Sequence, residues 1–402
     1  MGKKILVISQ YFYPENFRIN HLVLELKQRG YEVTVLTGLP NYPQGEYYEG
    51  YGQEKNCDEI WNGIKIYRCK LRARHMGSVN LVRNYISFVT EANKKLKELR
   101  DEHFDVIYVF EVSPMTVALP AVREKKRRNI PLIINIQDLW PENVIAVTGI
   151  NNPVINFFIN RMVNYIYKYC DLILAASKSF VPRIQSRVNE KKKVIFWPQY
   201  SVVSREEKKR ELFDPDKFNI VFTGNVGEAQ GLDLMVEAAD ELRDMPINWH
   251  IVGDGRYLDT LKEKVKEKNL EEIIFFYGRR PESEIPQYLA CAQAALLILK
   301  PDPVFEMTLP AKLQTYMACG VPIIGCVSGE GKKTIDEAKA GLTTSEISVK
   351  ALVSVCQDIL SLEPDEYSKL AMHSFAYGQE YFDKDSIITY LSNQIDNPIQ
   401  NQ

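Results

Sequence analysis

Several features that mark common protein classes are missing from this 402-residue chain. Its seven cysteines are odd in number and lack paired metal-ligand spacing, so a zinc site is disfavoured and reduced, structural thiols in a cytoplasm are expected. No stretch approaches the roughly 20 apolar residues of a membrane-spanning helix. The start, MGKKILVISQYF, is basic, but its apolar run is only ILVI before Ser9 and Gln10; it reads as a first β-strand, not as a signal peptide. A charge excess is absent too: 50 Lys and Arg against 52 Asp and Glu leave a net charge of −2, which argues against nucleic acid as a partner. Neither GK[ST] nor GxGxxG occurs, so the phosphate loop of the NTPases and the usual dinucleotide fingerprint are both excluded.

What is present is alternation. Near-continuous apolar runs at 4–9, 32–37, 64–69, 105–110, 131–136 and 171–176 alternate with helical periodicity, as buried parallel strands do. Between the first two runs, Ile19, Leu22, Val23 and Leu26 share one helix face and Gly30 closes the helix. A charged, aperiodic stretch at 198–218 reads as a linker with room for a short helix. A second series follows at 219–224, 248–253, 273–278, 294–299 and 321–326. The pattern predicts two doubly wound, Rossmann-like α/β domains over 1–200 and 201–380, with a helix and tail over 381–402 returning toward the first domain. The carboxyl ends of both sheets are expected to face a cleft.

Within that frame the informative residues fall after strands. The run FTGNVGEAQGLDL ends a strand, turns through Gly224, Gly227 and Gly231 and enters a helix, a natural anion seat because free N–H groups and the helix dipole point outward. Gly253 and Gly255 occupy a second strand-to-helix turn. Pro310 suits a helix start and places Lys312 in the first turn, where a cation opposes the dipole unless an anion sits nearby. Glu306 precedes that helix and is suited to accept from a sugar hydroxyl. In the first domain, Asn16 and Arg18 stand at a helix start, Glu111 ends a strand, and the loop 38–52 combines Asn41, Tyr42 and further tyrosines suited to stacking on a sugar. A basic and apolar stretch from Lys65 to Arg83 suits an anionic membrane face. The aromatics of INFFINRMVNYIYKYC, Phe157 and Phe158 included, are expected mostly in the core.

The ordered segments GNVGEAQGL, VGDG, FYGRRP and VFEMTLPAKLQTYMACGVPII, with SQYFYPENF and QDLWPENV upstream, resemble glycosyltransferase family 4, retaining transferases of the GT-B fold, and within it the WbuB-like branch of O-antigen and capsule assembly. The resemblance spans residues 3 to about 390 in order. It implies a UDP-sugar donor carrying an N-acetylated hexosamine or deoxyhexosamine, a lipid-diphosphate-linked saccharide acceptor, no essential metal or other cofactor, and a peripheral place at the cytoplasmic face of a bacterial plasma membrane. It assigns Asp138, Glu306 and Lys312 to catalysis and Gly224, Asn225, Gly227, Gln230, Gly253, Gly255, Pro310, Gln314 and Thr315 to the nucleotide-sugar. Asn16, Arg18, Asn41, Tyr42 and Glu111 go to the acceptor.

The chain also departs from the family pattern. Asn225 and Gln230 stand where Arg and Lys usually neutralise the diphosphate, and Gln314 and Thr315 replace the second glutamate of a pair. Glu306 is offset by one position from the first, and Gln137 precedes Asp138 where a histidine is frequent. Two other readings share the outline: a UDP-sugar 2-epimerase, and an inactive homologue that binds sugar nucleotide as a scaffold.

Overall fold

A computed structural model describes residues 2–397 apart from 56, 76, 145–151 and 190–192. The chain divides into two compact units, Met1–Trp197 with Ile388–Gln402, and Pro198–Ile387.

The first unit is built on an eight-stranded sheet in the order β3-β4-β2-β1-β5-β6-β7-β8. Its strands are β1 (Lys4–Ile8), β2 (Glu32–Gly38), β3 (Glu59–Trp61), β4 (Ile64–Cys69), β5 (Val106–Glu111), β6 (Leu132–Ile136), β7 (Leu172–Ala175) and β8 (Lys193–Phe196). All neighbours pair in parallel except β3 with β4. The second unit has six parallel strands in the order β11-β10-β9-β12-β13-β14. These are β9 (Phe218–Thr223), β10 (Ile247–Val252), β11 (Ile274–Gly278), β12 (Ala294–Ile298), β13 (Ile323–Cys326) and β14 (Gly341–Thr344). Sequence periodicity finds every long buried strand and misses β3, β8 and β14. Those three are short, sit at or next to sheet edges and carry half-buried residues, so they leave no continuous apolar run.

Strand order reverses between β1 and β5 in the first sheet and between β9 and β12 in the second. Connections leave on opposite faces at such a switch, which opens a crevice at the carboxyl ends of the two central strands. The Gly224 turn follows β9, Gln10 lies just beyond β1, and Glu111 ends β5. Strand order thus puts three of the most polar turns at the two switch points.

The charged stretch expected to act as a linker instead packs on the second unit and contains no helix. Phe213 is buried there, its ring stacked on His250 at 3.7 Å, and Ser201 N donates to the Phe382 carbonyl. Phe275 closes the other side of His250, and burial pushes that imidazole down to about 3, so it is a neutral structural group. No helix among the described residues is long and apolar enough to cross a membrane.

The core of the second unit surrounds Trp249, the largest fully buried side chain in the protein. Trp249→Ala should cost about 3–5 kcal/mol by leaving a cavity between β10 and its covering helices. The urea midpoint of unfolding checks this, and a shift worth under about 1 kcal/mol would contradict the packing described.

Candidate functional site

In the second unit, β9 delivers the chain into a turn at Gly224, whose φ of +116° is inaccessible without strain to other residues. Gly224 N donates to Val252 O and Val226 N donates to Asp254 O, both at 2.9 Å, tying this turn to the one after β10. The two turns touch backbone to backbone. A Cβ on Gly253 would stand 1.8 Å from the Gly224 carbonyl oxygen, and one on Gly255 would stand 2.3 Å from that of Val226. Gln230 and Gly231 donate to the carbonyls of Gly227 and Glu228, and Leu234 N to that of Gly231, while the amides of Gly227, Glu228 and Ala229 donate to no backbone carbonyl among the described residues.

The absent side chain at Gly224 admits Lys312, since a Cβ there would meet Lys312 Cε at 2.9 Å. Lys312 is the second residue of the helix Ala311–Cys319, which Pro310 precedes with extended backbone. Its Nζ donates to Gln230 Oε1 and stands 3.7 Å from the centroid of the Phe222 ring. No carboxylate pairs with it among the described residues. Burial without an acidic partner pushes its ammonium down to about 7. Gln230, at the position where the family usually carries a lysine, thus receives one from a different helix.

On the same helix Gln314 is buried and Thr315 is half-buried. Tyr316 Oη accepts from Thr223 N at 3.0 Å, locking the helix to the end of β9. Asn225 lies beside the close approach, with Oδ1 2.8 Å from where a Gly255 Cβ would be. Glu306 precedes the Lys312 helix, as expected, and lies in a short helix of its own, Pro303–Met307, which Asp302 caps through Val304 N. The Pro303 start and the Asp302 cap are the sequence signal for that helix. Glu306 Oε1 accepts from Ser328 Oγ at 3.1 Å.

In the first unit, Asp138 follows β6 and is half-buried. Its Oδ2 accepts from Ser113 N at 2.7 Å, and desolvation raises its carboxyl. Glu111 is fully buried at the end of β5; Oε2 accepts from Asp138 N at 3.3 Å and Oε1 has no partner. Burial first, and then the charge of Asp138, push its carboxyl well above the usual range. Glu111 caps no helix and offers no exposed surface to a ligand; it stands behind Asp138. Ser113 Oγ accepts from Trp140 Nε1 and Asn143 Nδ2, which fixes the turn that holds Asp138.

Asn41, expected to meet a sugar, is buried with its side chain already engaged: Nδ2 donates to Leu39 O and Oδ1 accepts from Arg74 N. A long loop needs internal partners for its own backbone, and Asn41 supplies them. Tyr42 remains 38% exposed, packed against Tyr11 and Phe17 with the Arg74 guanidinium 5.4 Å above its ring. Asn16 is exposed and Arg18 half-buried beside this cluster in sequence.

Glu15 escaped the sequence reading. It is buried, and its Oε1 accepts from both Asn41 N and Tyr42 N while Oε2 accepts from Phe12 N. One carboxylate thus joins the turn after β1 to the tyrosine loop. An isolated Glu between Pro14 and Asn16 carries no signal of partners that lie 26 and 27 residues away.

Desolvation outweighs those three N–H donors and Arg68, and pushes the Glu15 carboxyl up to about 7 from 4.5. A raised folded value favours the protonated form, so this contribution to stability is complete below about pH 4.5 and is lost as pH rises through about 7. Between those limits the wild type should lose on the order of 2–3 kcal/mol more than Glu15→Gln, which cannot ionise. Urea unfolding at a series of pH values measures the difference; parallel curves would contradict it.

The comparisons with known proteins agree with this construction. A model described as glycosyl transferase 4-like domain matches residues 16–198, and one described as glycosyl transferases group 1 matches 203–374. The chain is 25% identical to WcaI of Escherichia coli K12, named for a colanic acid biosynthesis glycosyl transferase, over 98% of this chain and 99% of WcaI. It is 23% identical to the glycosyltransferase named WbjE of Pseudomonas aeruginosa over 58% of this chain and 60% of that one. Among solved structures, sucrose-phosphate synthase of Thermosynechococcus elongatus superposes with a TM-score of 0.71 at 14% identity, covering 99% of each chain. Anabaena HepE in complex with UDP and glucose superposes at 0.64 and 14% identity, over 98% of this chain and 100% of that one. Two parallel α/β units, each matched by one of the two domains and together spanning most of the chain, make this protein a family 4 glycosyltransferase of the GT-B fold.

Proposed function

We propose that the protein is a retaining transferase of the WbuB-like branch. It would move a sugar, an N-acetylated hexosamine or deoxyhexosamine, from a UDP-sugar to a lipid-diphosphate-linked saccharide in the assembly of a surface polysaccharide. The relatives named for colanic acid and amylovoran biosynthesis support the pathway class, and HepE, solved with UDP-glucose, supports the donor class. A lipid-borne acceptor would place the protein peripherally at the cytoplasmic face of the plasma membrane.

The observation that carries the donor site is the seat of Lys312. A half-buried cation with no carboxylate partner is costly, and this one lies against Gln230 in the glycine-rich turn whose unbonded amides suit an anion. A diphosphate there would supply the missing countercharge. The leaving UDP would be stabilised by Lys312, by the amides of Gly227–Ala229 and by the helix N-terminus, without an essential metal. Gln314 and Thr315 would bond the ribose in place of a glutamate, and Glu306 would hold a sugar hydroxyl. In the first unit, Asp138 would orient the acceptor, with Tyr42, Arg18 and Asn16 at its edge. Rate enhancement would come from charge stabilisation and orientation rather than from a strong protein base.

Calorimetric titration with UDP, GDP and ADP, with and without magnesium, tests the proposal. Selective UDP binding without metal is expected, and absence of binding to any of the three nucleotides would refute it. Lys312→Ala should weaken UDP binding by on the order of 1.5–3 kcal/mol. The same lysine sets a pH dependence. With its ammonium near 7 in the free protein, binding a diphosphate takes up a proton above that value. UDP affinity should therefore fall from about pH 7 to 9 in the wild type and stay flatter in Lys312→Arg, whose guanidinium remains charged.

A further inference from the structure

We infer that the N-terminal halves of the helices Ser78–Glu98 and Pro153–Tyr169 form the face by which the first unit docks on an anionic lipid surface. Among the described residues, most of the large apolar side chains left in water lie on these two helices. On the first, Val79, Val82 and Ile86 follow three- and four-residue spacing and form one outward stripe, while Asn84, Phe88, Ala92 and Leu96 face inward. On the second, Phe157 is 57% and Phe158 65% exposed, with Val154 beside them. These aromatics, expected in the core from composition, are its exposed face; Val163, Ile166 and Tyr167 do the packing.

Three further observations select a lipid surface as the occupant. First, on Ser78–Glu98 the apolar exposure is confined to the N-terminal half: past Ile86 the outward residues become Thr90, Lys94 and Lys97. On Pro153–Tyr169 Tyr165 is exposed farther along, but the exposure is densest in the N-terminal half, at Val154, Ile155, Phe157 and Phe158. In a parallel sheet the covering helices run back against the strands, so this is the end that also carries Glu111, Ser113 and Asp138. Second, the helix Ala118–Arg128 packs against both, so a single helix separates the two stripes. Third, the charges among them are all positive: Arg83 on the first helix half, and Arg161 and Lys168 on the second helix, with no acidic residue in 78–90 or 153–169. Arg161 lies over the Phe157 ring at 5.9 Å. An apolar stripe with aromatic residues and cations around it matches a headgroup boundary. A second copy of the chain fits less well, because a two-fold interface would set these cations against one another without acidic partners.

The inference deepens the reading of a lipid-borne acceptor and rests on it. The full chain should sediment with vesicles containing phosphatidylglycerol and much less with vesicles of phosphatidylcholine alone. Phe157→Ser with Phe158→Ser should lower that partition roughly tenfold, and Val82→Glu should lower it by a similar factor. UDP titration of the same variants separates the two ideas. Lost vesicle binding with UDP affinity intact is the expected result. Wild-type binding to vesicles by both variants would overturn the docking face and leave the donor reading standing. Equal partition into both lipids would overturn the choice of an anionic surface. A wild-type dimer in analytical ultracentrifugation that the paired serines dissolve would reassign the face to self-association.

Discussion

The second unit depends on one close approach: the turn after β9 and the turn after β10 meet backbone to backbone, with no space for a side chain at Gly253 or Gly255. Two amide-to-carbonyl bonds hold them at that distance. Because the turns are in contact, the bare side of Gly224 becomes the passage for Lys312, whose ammonium reaches the Gln230 side chain at the end of the same glycine-rich turn. Side chains at these glycines would separate the turns and remove the seat.

The protein treats its charges in two ways. Structural cations are paired: Lys125 meets Asp171 at the start of β7, and Arg68 joins Glu59 while donating to the carbonyls of Gly38 and Tyr13. Among the described residues Lys312 has no acidic partner, and Glu111 keeps one buried oxygen unbonded. Unsatisfied groups of that kind cost stability and persist where a ligand or a neighbouring group makes use of them. For Lys312 the proposed use is a donor diphosphate. Glu111 supports Asp138 through its other oxygen, Oε2, which accepts from the Asp138 N–H.

The first unit solves a different problem, the anchoring of a long loop. The tyrosine loop receives little regular hydrogen bonding of its own, and Glu15, from the turn after β1, and Asn41, from within the loop, add to it. Two residues that look available for a sugar in the sequence, Asn41 and Glu111, are therefore spent on scaffolding, and Tyr42 is left as the exposed member of its cluster.

Much of the architecture was legible from residue order alone. Long buried parallel strands need unbroken apolar runs, so β1, β2, β5, β6, β7, β9, β10 and β12 announced themselves, and the glycine-rich turn between β9 and its following helix was legible as such a turn. The short strands at or next to the edges, β3, β8 and β14, did not, because half-buried residues need no such run. What only tertiary structure decided were the relations between distant segments. Lys312 reaches Gln230 across 82 residues, and Glu15 reaches the tyrosine loop across 26. Phe157 and Phe158 of Pro153–Tyr169 turn outward although their composition suits a core. Composition sets how strongly a side chain prefers to leave water, whereas the packing of neighbouring helices decides which side of its own helix has anything to pack against.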